Sequence, residues 1–462
     1  MAHRLSSSDG PPEVARACAR RLIVMTRIPA PGRVKTRLIP VLGPDGAAAL
    51  HAALLHKTLH VASLHSRQSG ADLEVRFTGG AALAADARPT ECSVIWREQR
   101  GTGLGDRMND AITAALNEGA SKVIVIGTDC PDISADDLGC AWQFLDGHDL
   151  VLGPADDGGY YLIGMNEPEA RLFAGIDWGT SQVLQQTLDR ARRLRKSFAL
   201  LPVHSDIDEA ENLVVCRRLG ADFQDQLPQK CTGLLSVIIP TLNEFDQLAS
   251  TLTPILNCRN CEVIIADGGS TDGTVELARE LGCRVLAVNR GRGRQMNAGA
   301  ALARGEIFLF MHADARLPAN FVEEIHDALD GGAIAGAFRF QIDQAGWSLR
   351  CVEWGTNLRV KFRQLPYGDQ GLFLQSDDFF RLGGFKNWPL MEDYEMCCRL
   401  KRHGRIRITP AAIRISARRW VRFGVWRTTL INQLCVAGFR LGVSPERLAR
   451  WYAACRPGST SC

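Results

Sequence analysis

Short apolar runs of β type alternate with helical stretches along this chain, in two series. The first series is RLIVMTR, LEVRF, SVIW, SKVIVIGTD and DLVLGPADD, with DGAAALHAALLHKTLHVASL and GDRMNDAITAALNEG between them. The rhythm lapses over the polar QDQLPQKCTG (224–233). It then restarts with LLSVIIPTLNE, CEVIIADGGSTDGT, CRVLAVN, EIFLFMHAD and AIAGAFRFQI. A β-then-α rhythm predicts mostly parallel sheets with helices on both faces. The expectation is an α/β chain with a polar lead-in over 1–20, a first domain over 21–223, a linker over 224–233 and a second domain over 234–462. A chain of 462 residues exceeds one core, which agrees with two domains.

Composition removes several function classes. A net charge of +3 makes the whole chain no polycation, so nucleic acid is not an expected partner. The fifteen cysteines are scattered and form no compact framework, which reads as reduced thiols in a cytoplasmic protein. Cys258 and Cys261 form one CxxC. A zinc site needs about four ligands, and no second pair lies at finger spacing, so buried thiols are the plainer reading. No stretch reaches the ~18 apolar residues of a membrane span. The run Leu22 to Met25 is too short for a signal peptide and reads as a first strand.

Acids recur just past the apolar strands: Asp129 in VIVIGTDCPD, Asp267 in IIADGGSTDGT and Asp314 in FMHAD. In open parallel sheets ligands bind beyond the carboxyl ends of the strands. One such Asp can equally cap a helix, and for Asp272 capping is the better reading. Several at equivalent ends point to a polyphosphate with a divalent metal, Mg²⁺ or Mn²⁺, held by hard oxygen ligands. Arg33, Lys35 and Arg37 follow a Pro-Gly turn after the first strand. They can cradle phosphates or line a solvated loop. The segment from Lys401 to Val443 is locally basic, with Trp420, Phe423 and Trp426 among its arginines. A solvated face, a diphosphate clamp and a surface toward anionic lipid all fit it.

SVIIPTLNE, VIIADGGSTDGT, GRGRQMNAGAALARGEIFLFMHADARLP and MEDYEMCCRLKRHGRI, in that order, resemble the family 2 glycosyltransferases of GT-A (nucleotide-diphospho-sugar transferase, Rossmann-like) fold, over about Leu234 to Trp426. The resemblance implies nucleotide-sugar contacts at Pro240, Glu244, Asp267, Gly269 and Arg294. It implies a metal ligand at Asp314, with His312 in place of the first Asp of a DxD-type motif, and a catalytic base at Asp393. Arg418, Arg419 and Trp420 loosely resemble the QxxRW motif of processive members, without its Gln. MTRIPAPGRVKTRL, GTGLGDRM, VIVIGTDCPDI, LGPADDGGYYLIGM and SDIDEAENL resemble the glycosyltransferase-A-like, nucleotidyltransferase-related proteins, over about Leu22 to Leu219. There the resemblance implies donor contacts at Arg33, Lys35, Arg37 and Asp157 and metal positions at Asp129 and Asp208. For Asp208, helix capping is a rival reading. The pair of domains is similar to the fused glycosyltransferases ascribed to arsenosugar biosynthesis.

The resemblance implies metal-dependent, inverting transfer of a sugar from a nucleoside-diphosphate donor to a small-molecule acceptor. Three other readings stay open. The first domain is a nucleotidyltransferase that supplies the activated sugar; or it is a non-catalytic binding module; or the chain works at the inner face of a membrane on a lipid or carotenoid acceptor. YGDQG (Tyr367 to Gly371) either shapes the acceptor pocket or is a glycine-rich turn.

Overall fold

The computed structural model describes residues 20–79 and 94–455. They divide into two compact units. One runs to Val34 and takes in His51–Asp206; the other takes in Lys35–Leu50 and the chain from Ile207.

The first unit is built on strands β1 (Arg20–Arg27), β2 (Asp72–Thr78), β3 (Ile95–Glu98), β4 (Lys122–Ile126), β5 (Leu150–Pro154), β6 (Tyr160–Met165) and β7 (Phe198–Leu200), in the order β3-β2-β1-β4-β6-β5-β7. All neighbours are parallel except β6, which runs against both β4 and β5. The strands read as continuous apolar runs because both faces are covered. Leu22, Val24 and Ile124 pack with Leu138 and Trp142 on one face. Ile23, Val125 and Leu152 pack with Met108 and Ile112 on the other.

The helix Ile39–Ser69 breaks at Gly43, whose φ of 72° leaves the helical region just before Pro44. Its later turns bury Leu54, Leu55, Leu59 and Ala62. Thr36–Ser69 is nevertheless long and apolar enough to cross a membrane by length and composition, where the sequence reading expected no such stretch. Histidines and alanines in the run lower its contrast with an ordinary core helix.

The second unit uses β8 (Cys231–Thr241), β9 (Cys261–Asp267), β10 (Arg284–Ala287), β11 (Gly305–Phe310), β12 (Ala315–Arg316), β13 (Ala335–Ile342), β14 (Leu372–Gln375) and β15 (Ile406–Ile415). Their order is β10-β9-β8-β11-β14-β13-β15-β12. Only β14 and β12 run against their neighbours. Without β12 this is the strand order and direction of the first sheet, so each unit repeats one topology. Phe308, Phe338, Phe373 and Phe379 are fully buried around β11 and β14.

The stretch from Ile207 to 233 packs with the second unit. Leu213, Val214 and Cys216 are buried on the helix Leu213–Leu219. Its Arg217 donates to the Ala301 carbonyl at 3.2 Å and the Pro228 carbonyl at 2.6 Å. Residues 207–233 are thus part of the second unit, and β8 already begins at Cys231.

Candidate active site

Strands β8, β9, β11, β13 and β15 point the same way, and β14 begins where they end. One edge of the sheet therefore gathers Pro240 to Glu244, Asp267 to Ser270, His312 to Asp314, Tyr367 to Gly371 and Arg418 to Trp420. This is the edge where such sheets bind ligands.

Asp267 ends β9 and is buried. Its carboxylate accepts from Thr241 Oγ1 (3.0 Å), the Gly269 N–H (2.9 Å), the Ser270 N–H (2.8 Å) and Ser270 Oγ (2.5 Å). Those four donors fix the turn after the strand, where Gly269 takes a φ of 96° that a side chain resists. Asp272 caps two helices at once, accepting from the Thr274 and Phe245 N–H groups at 3.1 Å each. Pro240 pairs with Ala266 in the ladder. Glu244 heads the helix Phe245–Leu256 and accepts from Arg418 at 2.7 Å. The same guanidinium lies 3.7 Å from Asp314. Burial pushes the Glu244 carboxyl up, Arg418 pulls against it, and the Asp314 charge adds to the rise.

Asp393 lies in the first turn of the helix Glu392–His403, behind Met391 at a left-handed φ of 73°. Its Oδ2 accepts from the Gly368 N–H at 2.6 Å and its Oδ1 from the Tyr394 N–H at 2.7 Å. A Cβ on Gly368 would stand 3.0 Å from Asp393 Oδ2 and 3.3 Å from His312 Nε2. A side chain there would press on both the imidazole of one loop and the carboxylate of the other. His312, Gly368 and Asp393 share a small cavity with Phe310, Met311, Leu372 and Phe385.

The electrostatics of this corner are uneven. Burial, then Arg292 and Arg419, hold the His312 imidazole well below its usual range, so it is neutral at pH 7. Burial, with Asp393 and Asp314 adding to it, pushes the Asp369 carboxyl up to about 6. Its Oδ1 is enclosed without a hydrogen-bond partner, as are Nε and Nη2 of Arg359, whose guanidinium stacks 3.7 Å over the Tyr367 ring. Burial and the Asp393 charge push Glu392 up to about 7. The sequence points to Asp369 only through the stretch YGDQG and does not single out Arg292 or Arg359. The only signal for these two is their setting in GRGRQ and a helix that otherwise reads as ordinary.

Among the described residues no three His, Cys, Asp or Glu side chains converge as a metal cage. The partly exposed Asp314 and the orphaned oxygen of Asp369 instead suit a cation that takes most of its ligands from substrate phosphates and water.

The remaining candidates are dispersed. Lys35 donates to Asp208 at 2.8 Å and Arg37 to Glu209 at 3.1 Å, all four in the second unit. Arg294 lies 3.9 Å from Glu211, a buried carboxyl. In the first unit Arg33, Asp129 and Asp157 follow β1, β4 and β5, which all end at one sheet edge. Asp157 Oδ1 accepts from the Gly159 N–H at 2.7 Å and so braces its own turn. Cys258 and Cys261 are half-buried with sulfurs 2.9 Å apart. There is no disulfide among the described cysteines.

Residues 236–383 match the family model of glycosyl transferase family 2. Residues 61–180 match that of an uncharacterized protein conserved in bacteria, DUF2064. The succinoglycan biosynthesis protein ExoA of Rhizobium meliloti (strain 1021) is 38% identical over 109 residues, 21% of this chain and 33% of that protein. A dolichol-phosphate mannosyltransferase of Pyrococcus furiosus is 31% identical over 108 residues, 21% of this chain and 31% of that one. The match thus spans 33% or less of the length of these two curated relatives. A solved protein of Desulfovibrio desulfuricans G20, assigned as a nucleotide-diphospho-sugar transferase, is 33% identical with a TM-score of 0.40, covering 45% of this chain and 90% of that one.

Proposed function

The chain belongs to glycosyl transferase family 2 through residues 236–383, and from that premise we propose that its second unit moves a sugar from a nucleoside-diphosphate donor to an acceptor hydroxyl, with inversion. The observation that carries this is Asp393. Its carboxylate is aimed by the Gly368 N–H at 2.6 Å into the same corner as His312.

The acceptor hydroxyl must lose its proton as its oxygen bonds to the anomeric carbon, and the carboxylate of Asp393 takes it. The bond from that carbon to the diphosphate breaks on the opposite side, so one displacement inverts the centre. Arg418 and Arg419 face the growing negative charge. Asp267 holds the turn against which the nucleotide lies, and Glu244 keeps Arg418 in place. A divalent cation, Mg²⁺ or Mn²⁺, would be held by Asp314 and Asp369 and, when bound, neutralises diphosphate charge. The orphaned Nε and Nη2 of Arg359, whose guanidinium stacks over Tyr367, support an acceptor pocket beside YGDQG.

For the first unit we favour a binding role over nucleotidyl transfer. Among the described residues β2 ends at Thr78 where β9, its counterpart in the second unit, ends at Asp267, so no acid closes that strand. A cytoplasmic setting belongs to the same proposal.

The test is Asp393→Asn in the full chain, which keeps the size and one of the two backbone N–H bonds but removes the base. Donor affinity should stay and transfer should fall ~10²–10⁴-fold. Lost donor affinity would make Asp393 a binding group, and unchanged transfer would refute the assignment.

A further inference from the structure

Two helices of the second unit turn apolar stripes toward solvent. In Trp347–Arg363 the inner face buries Leu349 and Val360, while Trp347, Cys351, Trp354, Leu358 and Phe362 are exposed. Steps of four, three, four and four keep these five on one face of a helix. In Val425–Arg440 the inner face buries Thr428, Ile431 and Cys435. Trp426, Leu430, Leu434 and Ala437 form the outer face, continued by Leu441. The stripes join, because the Trp347 and Trp426 rings lie 5.9 Å apart. Trp347 is 74% exposed, Trp354 68%, Phe362 75% and Leu441 84%. A surface of this apolar size marks an interaction site.

The charge along the two helices is mainly positive, with the exposed acids Asp343 and Glu446 lying outside them. Arg350, Lys361 and Arg363 border the first stripe, and Arg422 and Arg427 the second. From Arg418 to Pro445 there is no Asp or Glu. The first helix has one acid, Glu353, which is turned inward to accept from the Ile342 N–H at 2.6 Å and from Arg350.

We propose that this two-helix face docks on the surface of an anionic phospholipid bilayer. Indole and phenyl rings enter the boundary between headgroups and chains, and the flanking cations meet lipid phosphates. Neither helix is long and apolar enough to cross the bilayer, so the face lies on it. The inference goes beyond sugar transfer and does not depend on it.

The test is flotation of the full chain with phosphatidylcholine vesicles, with and without phosphatidylglycerol. Flotation only with the anionic vesicles, weakened by salt and accompanied by a blue shift of indole emission, is expected. Replacing Trp354 and Phe362 together by Asp should cut partitioning ~10-fold or more. The double variant should keep its response to NDP-sugars in a thermal-shift assay, so loss of docking and loss of donor binding are read apart. No flotation with either vesicle overturns the proposal. So does light scattering that shows a dimer dissolved by the double variant, since a second copy would then cover the face.

Discussion

Glu392 and Asp393 are neighbours in one helical turn and carry different burdens. Asp393 is fixed by two N–H donors and faces the cavity with His312. Glu392 is buried and pushed up to about 7 by that burial and by the Asp393 charge. A carboxyl raised above its unfolded value favours the fold in its neutral form. That contribution is complete at pH values below the unfolded pKa of ~4.3 and is lost as pH rises through about 7. Glu392→Gln cannot ionise, so its stability relative to the parent chain should improve between pH 5 and pH 8. Urea midpoints at the two pH values check this, and an unchanged difference would show that Glu392 does not titrate in that window. At Asp314 the expected effect is on ligand binding. Asp314→Ala should abolish divalent-dependent donor binding, as followed by calorimetry. A mere cap would cost only ~1 kcal/mol of stability and leave that binding intact. From the residues alone Asp272 could be read as a cap, as the structure has it, while the other strand-end acids could be located but not ranked. Asp267 and Asp157 brace their own turns, and only the hydrogen-bond partners separate them from Asp314 and Asp393.

At the level of elements, the strands legible in the sequence all run parallel and most are unbroken apolar runs, though the antiparallel β6, YYLIGM, is equally apolar. The strands missed, β6, β7, β12, β14 and β15, are short, antiparallel or peripheral. β14 has only the four residues LFLQ, following a glycine, and β15 carries arginines and a proline within an alternating pattern. Such pieces are specified by their neighbours in the sheet more than by their own composition. Close packing of helix on sheet is equally invisible in the one-letter code. Gly299 on the helix Arg292–Leu302 faces β8, and a Cβ there would stand 2.5 Å from Ile238 Cγ2. Ile238 is fully buried and cannot move aside. Gly299→Ala, which would raise helix propensity in an open site, should therefore destabilise the second unit by about 1–3 kcal/mol, measured by denaturant unfolding.

On the scale of the whole molecule, two units of one strand order share a chain whose two halves are not an obvious sequence repeat. The polar stretch 224–233 suggested a cut, yet the buried side chains of Leu213, Val214 and Cys216 belong with the second unit. A fragment starting at 207 should therefore melt at a higher temperature than one starting at 232, which loses those three residues and Arg217. Equal melting temperatures would return the boundary to 224–233. The central claim is that donor chemistry belongs to the second unit, at Asp393. Its most direct test gives the full chain a panel of NDP-sugars with acceptor alcohols, and NTPs with sugar phosphates, in Mg²⁺ or Mn²⁺. Parent, Asp393→Asn and Asp129→Ala chains are compared side by side. The account predicts release of nucleoside diphosphate from an NDP-sugar by the parent, retained in Asp129→Ala and lost in Asp393→Asn. Turnover of NTP with sugar phosphate that survives Asp393→Asn and disappears in Asp129→Ala would contradict it.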